Sequence, residues 1–185
     1  ALALARGTLT CFIDDDVRPA PGWLSALSDA YLDPRVGLAT GPIRLAFEAE
    51  PPDWLETMTL GEPGGQTLPF LGLLDCGASA RDIPGNFVWG SNFTVRRSVL
   101  LEVGGFHPCA MPWRLIRFYG DGEVHVGRTA ERSGHRIVYA PGAAVEHDIP
   151  AGRLVYFQDQ SSANVIATRP AGQVVCVELE EIVTE

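Results

Sequence analysis

The sequence predicts an α/β fold with a mainly parallel sheet and flanking helices. Three observations carry that expectation. Short apolar runs suited to buried strands alternate with stretches of helical period. Proline and glycine clusters punctuate the junctions between them. The first strand candidate, ending Cys11-Phe12-Ile13, runs straight into Asp14-Asp15-Asp16. Charge gathered at the carboxyl end of a buried strand marks the edge where open α/β sheets bind ligands.

The elements follow in order. Ala1 to Arg6 reads as the end of a helix closed near Gly7, so upstream sequence is expected. Residues 8–13 read as a strand and the aspartates as the loop after it. Pro19, Pro21 and Gly22 then break the chain. Trp23 to Leu32 is an amphipathic helix with Trp23, Leu24, Leu27, Tyr31 and Leu32 on one face, ended by Asp33-Pro34. Val36 to Ile43 is a second strand. Residues 44–85 are rich in proline and glycine and read as a long functional excursion with one short helix, Trp54 to Leu60. Phe87 to Val95 is a strand interrupted by Gly90. Arg97 to Val103 is a short helix stopped by Gly104-Gly105. Residues 106–120 read as irregular. A helix from Gly122 to Ser133 is closed by Gly134. Arg136 to Tyr139 and Ala143 to His147 are short strands around Pro141-Gly142. Residues 158–185 differ in character and form a tail, with a candidate extra strand between Gln173 and Val183.

Composition narrows the function classes. The chain has 185 residues, 46% of them hydrophobic and 20% charged, which suits a globular domain with a sizeable core. The net charge of -9 speaks against a broad nucleic-acid surface. All 14 basic residues are arginine, which removes any mechanism needing a catalytic lysine. Cys11, Cys76, Cys109 and Cys176 form no C-x-x-C pair, so a zinc site is not expected and a reducing cytosol is the default. No apolar run reaches the roughly 18 residues of a membrane span. The expected location is therefore cytoplasmic, with peripheral association at the inner face of the membrane left open for a full-length protein.

A carboxylate cluster after a buried strand is costly unless something neutralises it, and a divalent cation is the usual neutraliser. Asp14 and Asp16 would point the same way in an extended chain. A solvated turn is the plain alternative.

Four segments taken together resemble family 2 glycosyltransferases of the GT-A fold, a Rossmann-like arrangement. Phe12 to Leu24 looks like that family's metal-binding D-x-D with its proline turn and helix. Gly90-Ser91-Asn92-Phe93-Thr94-Val95-Arg96-Arg97, followed by Val103-Gly104-Gly105-Phe106, is similar to its acceptor-side segment. Gly120-Asp121-Gly122-Glu123, then Gly134 to Pro141, resembles the acidic helix start and following strand. Ala144-Val145-Glu146-His147 stands where the family often ends in a histidine. The resemblance covers residues 1–157, as the C-terminal part of a catalytic domain. It lacks the family's first strand and a further acidic residue that hold nucleotide base and ribose.

The resemblance implies a metal-dependent inverting transfer of sugar from a nucleotide-sugar donor to an acceptor hydroxyl, the acceptor being a glycan or another hydroxyl compound. Asp14, Asp16 and His147 would hold Mn²⁺ or Mg²⁺, with the imidazole tilting the choice toward Mn²⁺. Asp14, Asp16 and Asn92 would bind the metal-borne donor. Glu123 would be the general base, with Asp121 a neighbour or substitute. This departs from the family's usual Glu-Asp pair. With the nucleotide half missing, these residues alone are expected to bind nucleoside diphosphate weakly and to turn over little.

Each residue also has a plainer reading. Asp121 and Glu123 could be an acidic first turn favoured by the helix dipole, and His147 a structural histidine. A rival enzyme reading is a haloacid-dehalogenase-type phosphatase. That family also carries D-x-D-x-V and a later Gly-Asp, but it normally needs a lysine. A third reading is a truncated, non-catalytic transferase-like binding domain.

Overall fold

The computed structural model describes residues 5–106, residues 122–153 and the strand Val175–Leu179. The polypeptide builds two sheets. The first contains β1 (Leu9–Ile13), β3 (Val36–Thr40), β7 (Arg81–Asp82), β8 (Phe93–Arg96), β9 (Arg136–Tyr139) and β11 (Val175–Leu179), in the order β11-β1-β8-β3-β9-β7. The second contains β2 (Val17–Pro19), β4 (Ile43–Phe47), β5 (Gln66–Leu68), β6 (Leu73–Asp75) and β10 (Val145–Ile149), in the order β2-β10-β4-β6-β5. The helices are α1 (Trp23–Ala30), α2 (Trp54–Met58), α3 (Arg97–Glu102) and α4 (Gly122–Arg132).

Among the described strands, parallel pairing is confined to β3 with β9 and β4 with β10. The other described pairs are antiparallel; in the first sheet β8 inserts between β1 and β3 and runs against both. The three strand regions at 8–13, 36–43 and 87–95 do contribute neighbours to one sheet, as β1, β3 and β8.

Two expected strands are cut by local chemistry. The run from Val36 to Ile43 splits at Gly41-Pro42 into β3 and β4, which lie in different sheets. Pro42 offers no N–H to a ladder. A side chain at Gly41 would meet the Ala143 carbonyl oxygen at 2.0 Å, so the bend admits only glycine. The run from Phe87 to Val95 is instead two 3-10 turns, Gly85–Phe87 and Gly90–Asn92, followed by β8. The excursion at 44–85 is also more ordered than its composition suggested. It supplies β4, α2, β5, β6 and β7, and its Leu55, Leu68 and Leu71 form a satellite core with Ile149 of β10.

The main core packs α1, α3 and α4 on the first sheet. Burying side chains such as Leu27, Leu38, Phe93 and Leu100 contributes roughly 1.5–3 kcal/mol each. On α1, Trp23, Leu27 and Tyr31 face inward. Leu24 and Leu32 do not: they are 43% and 81% exposed, so the apolar face is narrower than its sequence suggested. Arg96 donates to the carbonyls of Tyr31, Asp33 and Val36, tying the end of α1 to β8. Its guanidinium lies over the Tyr31 ring, 5.1 Å from the centroid. Gly104, Gly105 and Gly134 all adopt positive φ at helix ends, and His135 N–H reaches back to the Ala130 carbonyl to close α4. Cys11 and Cys76 are buried thiols outside any disulfide. Among the described residues no helix is long and apolar enough to cross a membrane.

Candidate active site

The aspartate run sits where the chain leaves one sheet for the other. β1 ends at Ile13, and Val17 N–H donates to the Asp14 carbonyl at 3.2 Å, so Asp14 to Val17 is a turn and not extended chain. Asp14 stays beside the first sheet, Asp15 is exposed, and Asp16 is carried to the second. There β2 pairs with β10, setting Val17 opposite His147, and Asp148 N–H donates to the Asp16 carbonyl at 2.9 Å.

His147 faces inward because β10 alternates strictly. Val145, His147 and Ile149 are buried, whereas Glu146 and Asp148 turn out to meet Arg18. The His147 ring has two distinct ends. Nδ1 lies 2.8 Å from the Leu71 carbonyl, which only accepts, so Nδ1 carries the proton. Nε2 then accepts from Arg153 Nη1 at 3.3 Å, and Asp16 Oδ2 stands beside it at 3.4 Å. The carbonyl that sets this tautomer is followed by Gly72, whose φ of +75° turns the chain beneath the imidazole. A Cβ at Gly72 would stand 3.3 Å from His147 Nδ1.

Glu123 occupies the first turn of α4. Two glycines dock that helix. A Cβ at Gly127 would lie 1.9 Å from the Gly85 carbonyl oxygen, so the backbones touch directly. Glu131 accepts the Gly85 N–H at 3.2 Å and fixes the contact. Glu123 is thereby brought up to Gly90. A Cβ at Gly90 would stand 2.7 Å from Glu123 Oε1 and 3.9 Å from Asp14 Oδ1. The two carboxylates thus share one wall of a cleft of about 260 Å³, completed by His147, Arg153, Phe70 and Trp89.

A larger hollow of about 470 Å³ borders Asp16 from the other side. Its charges are largely satisfied, since Arg18 is paired with both Asp148 and Glu146. The smaller cleft is where titratable groups of different elements converge.

Of the residues expected at the site, Asp14, Glu123 and His147 line this cleft, and Asp16 reaches it through His147. Asp121 and the expected irregular stretch beyond Phe106 lie outside the described residues. Asn92 does not line the cleft. Its side chain is fully buried, accepting Trp23 Nε1–H at 3.0 Å and donating to the Ala143 carbonyl at 2.8 Å. Its carbonyl accepts the Thr40 hydroxyl at 2.7 Å. Asn92 therefore holds the Gly90–Asn92 turn in place. Arg153 had no signal in the sequence, being one arginine among 14 and following a plain Pro-Ala-Gly turn. His135, unassigned from sequence, pairs with Glu102 at 3.0 Å.

A divalent cation suits part of this donor set. A carboxylate oxygen and an imidazole nitrogen 3.4 Å apart have the spacing of neighbouring ligands on one small ion, which stand about 3 Å apart when each bond is about 2.1 Å. The Leu71 carbonyl supplies the outer partner that fixes a ligating histidine. Among the described residues no three Cys, His, Asp or Glu side chains gather closely enough to enclose a metal. That is compatible with an ion such as Mg²⁺, which takes one or two carboxylates and fills its shell with water and substrate phosphate.

No family model matches the chain. It is 26% identical over 159 residues to glucosyl-dolichyl phosphate glucuronosyltransferase of Haloferax volcanii, covering 79% of this chain and 44% of that protein. It is also 26% identical to pre-mycofactocin glycosyltransferase of Mycobacterium tuberculosis (strain CDC 1551 / Oshkosh), covering 80% of this chain and 28% of that protein. The chain thus spans less than half the length of these curated relatives. Among solved structures it is similar to GalNAc-T7, crystallised with UDP, GalNAc and Mn²⁺, with a TM-score of 0.52, 16% identity, and coverage of 77% of this chain and 28% of that one. The architecture is thus the GT-A fold, and the curated relatives it resembles are glycosyltransferases.

Proposed function

We propose that the protein transfers a sugar from a nucleotide-sugar donor to an acceptor hydroxyl with inversion, Glu123 acting as general base. The observation that carries this is the approach of Glu123 and Asp14 to Gly90 in one cleft with His147. An inverting displacement needs a carboxylate on the acceptor side and positive charge on the diphosphate side. Glu123, from α4, and Asp16 with His147, from the second sheet, come from elements suited to those two sides.

Asp16 and His147 would hold the divalent cation, with water and the donor diphosphate filling the rest of its shell, while Asp14, expected as a third ligand, stands with Glu123 on the other side of the cleft. Bound at Asp16 and His147, the cation would offset the charge developing on the departing diphosphate. The chain's own residues do the rest. Gly90 leaves room for Glu123 to take the acceptor proton at its carboxylate oxygen. The Leu71 carbonyl keeps the His147 proton on Nδ1. Phe70 and Trp89 add apolar surface to the cleft wall. The relatives and the structural neighbour named above are all transferases, so the phosphatase reading has no support from them.

The test is sugar transfer from a panel of nucleotide sugars by wild-type protein and Glu123→Gln. The variant should lose about 10²–10⁴-fold in kcat, the usual weight of a general base, while keeping Mn²⁺ and nucleoside diphosphate binding. Undiminished transfer by Glu123→Gln would remove the residue from the reaction.

A further inference from the structure

We propose that Arg153 is a displaceable internal cation that competes with the divalent cation for Asp16 and His147. The proposal rests on the metal reading above and deepens it. Arg153 follows β10 in the helical residues 151–153, with its N–H donating to the Pro150 carbonyl at 2.9 Å. Glu48 anchors the start of that helical turn by accepting the Ala151 N–H at 2.9 Å. The side chain folds back into the cleft and is 24% exposed. Its Nη1 lies 3.3 Å from His147 Nε2 and 3.9 Å from Asp16 Oδ2.

The donor and acceptor roles in this contact are settled by chemistry. Guanidinium only donates. Leu71 fixes the His147 proton on Nδ1, so Nε2 accepts from Arg153 with its one in-plane lone pair. A metal ion bound at His147 requires that same lone pair. The two uses exclude each other, and a guanidinium beside a dication would add like-charge repulsion. Metal binding must therefore break the Arg153–His147 contact. The arginine stem has enough rotatable bonds to swing away while the anchored turn stays put.

The same contact bears on the charge of the cleft. Asp14, Asp16 and Glu123 bring three carboxylates to one region, and among the described residues lining the cleft Arg153 is the cation that faces them. It lessens their mutual repulsion until a dication replaces it.

Calorimetric titration with Mn²⁺ tests this on wild-type protein, Arg153→Gln, Arg153→Met, Arg153→Lys and Asp16→Ala. The Gln and Met variants should bind Mn²⁺ about tenfold to hundredfold more tightly than wild type, the equilibrium weight of a charge-assisted hydrogen bond. Arg153→Lys keeps the charge and should stay within a few-fold of wild type. Thermal unfolding gives a second readout: without metal Arg153→Met should melt below wild type, and Mn²⁺ should raise its Tm by more. Equal or weaker Mn²⁺ binding in Arg153→Gln and Arg153→Met, with binding still abolished by Asp16→Ala, would overturn the competition and leave the metal site standing. Absence of Mn²⁺ binding from every variant would overturn both.

Discussion

Gly90→Ala should separate the chemistry of the cleft from the stability of the fold. Gly90 does not sit at positive φ, so alanine meets no backbone penalty. Removing a glycine from a permissive site stabilises by roughly 0.4–1 kcal/mol through the unfolded chain. The added Cβ would lie 2.7 Å from Glu123 Oε1, against an ordinary contact of at least 3.4 Å, so the carboxylate must move by about 0.7 Å or more. That atom is the far end of a flexible side chain, so the move is cheap for folding. Asp14 Oδ1, at 3.9 Å, is already at ordinary contact distance and stays where it is. A base displaced by about 1 Å loses on the order of 10²-fold in rate, close to 2.7 kcal/mol of barrier. The expected result is a Tm within a few degrees of wild type, unchanged Mn²⁺ binding and a kcat down about 100-fold. Thermal unfolding, calorimetry and initial-rate transfer assays measure the three. Full kcat in Gly90→Ala, alongside a dead Glu123→Gln, would show that the Glu123 position seen here is not the one it works from.

The same reasoning predicts other outcomes. Gly127→Ala drives a methyl onto the Gly85 carbonyl oxygen, where backbone and not side chain must give, so it should cost roughly 1–3 kcal/mol and lower Tm by several degrees. Asp16→Ala should abolish the Mn²⁺-induced rise in Tm, because it removes one hard oxygen ligand; a surviving rise would place the ion elsewhere. Asn92→Ala strands the Trp23 indole N–H and the Ala143 carbonyl in the core and should destabilise by roughly 1–3 kcal/mol for each group left unpaired, readable by urea unfolding. The Arg35 guanidinium, and Arg136 beside it, hold the Asp33 carboxyl well below the usual carboxylate range. Its contribution to stability is therefore complete above the unfolded value of about 3.9 and is lost as pH falls toward the depressed folded value. Asp33→Asn should thus lower Tm at neutral pH and flatten its fall below pH about 4; identical acid profiles would contradict this.

Legibility in the sequence followed the strength of local signals. The strand before the aspartates, the helix after Gly22 and the stop at Gly134 each had apolar period and a breaker to mark them, and each lies within about two residues of its expected place. The region 44–85 was opaque for a physical reason. Its strands β5, β6 and β7 have three, three and two residues, too short for any period to show. The mainly parallel expectation came from alternation alone, and alternation does not reveal that β8 enters between two strands running against it. At the site, the aspartates and His147 could be marked because their residue types are costly where the pattern placed them. Arg153 could not, because its role depends on a side chain folding back across a turn. Asn92 was marked as a donor-binding residue. Its segment does border the cleft, but the amide itself is turned inward and used up by Trp23 and Ala143.

The position of the cleft follows from how the chain changes sheets. It crosses from the first sheet to the second at three places: Asp14 to Asp16 between β1 and β2, Gly41-Pro42 between β3 and β4, and Ala140 to Ala144 between β9 and β10. The crossings are stitched together. Ala20 N–H donates to the Ala144 carbonyl, Ala140 N–H to Thr40, and Val145 N–H to Pro42. Asn92 binds both Ala143 and Thr40 and so locks the Gly90 turn to the same seam. A run of three aspartates set across such a seam is divided by it, one carboxylate left with the first sheet and one delivered to the second. The separation of Asp14 and Glu123 from Asp16 and His147 is then a property of the seam, not of any loop. Residues that touch no ligand, Gly41 above all, should therefore govern the geometry of the site. A side chain there would push apart the Gly41 and Ala143 backbones, and with them the two sheets that carry opposite sides of the cleft.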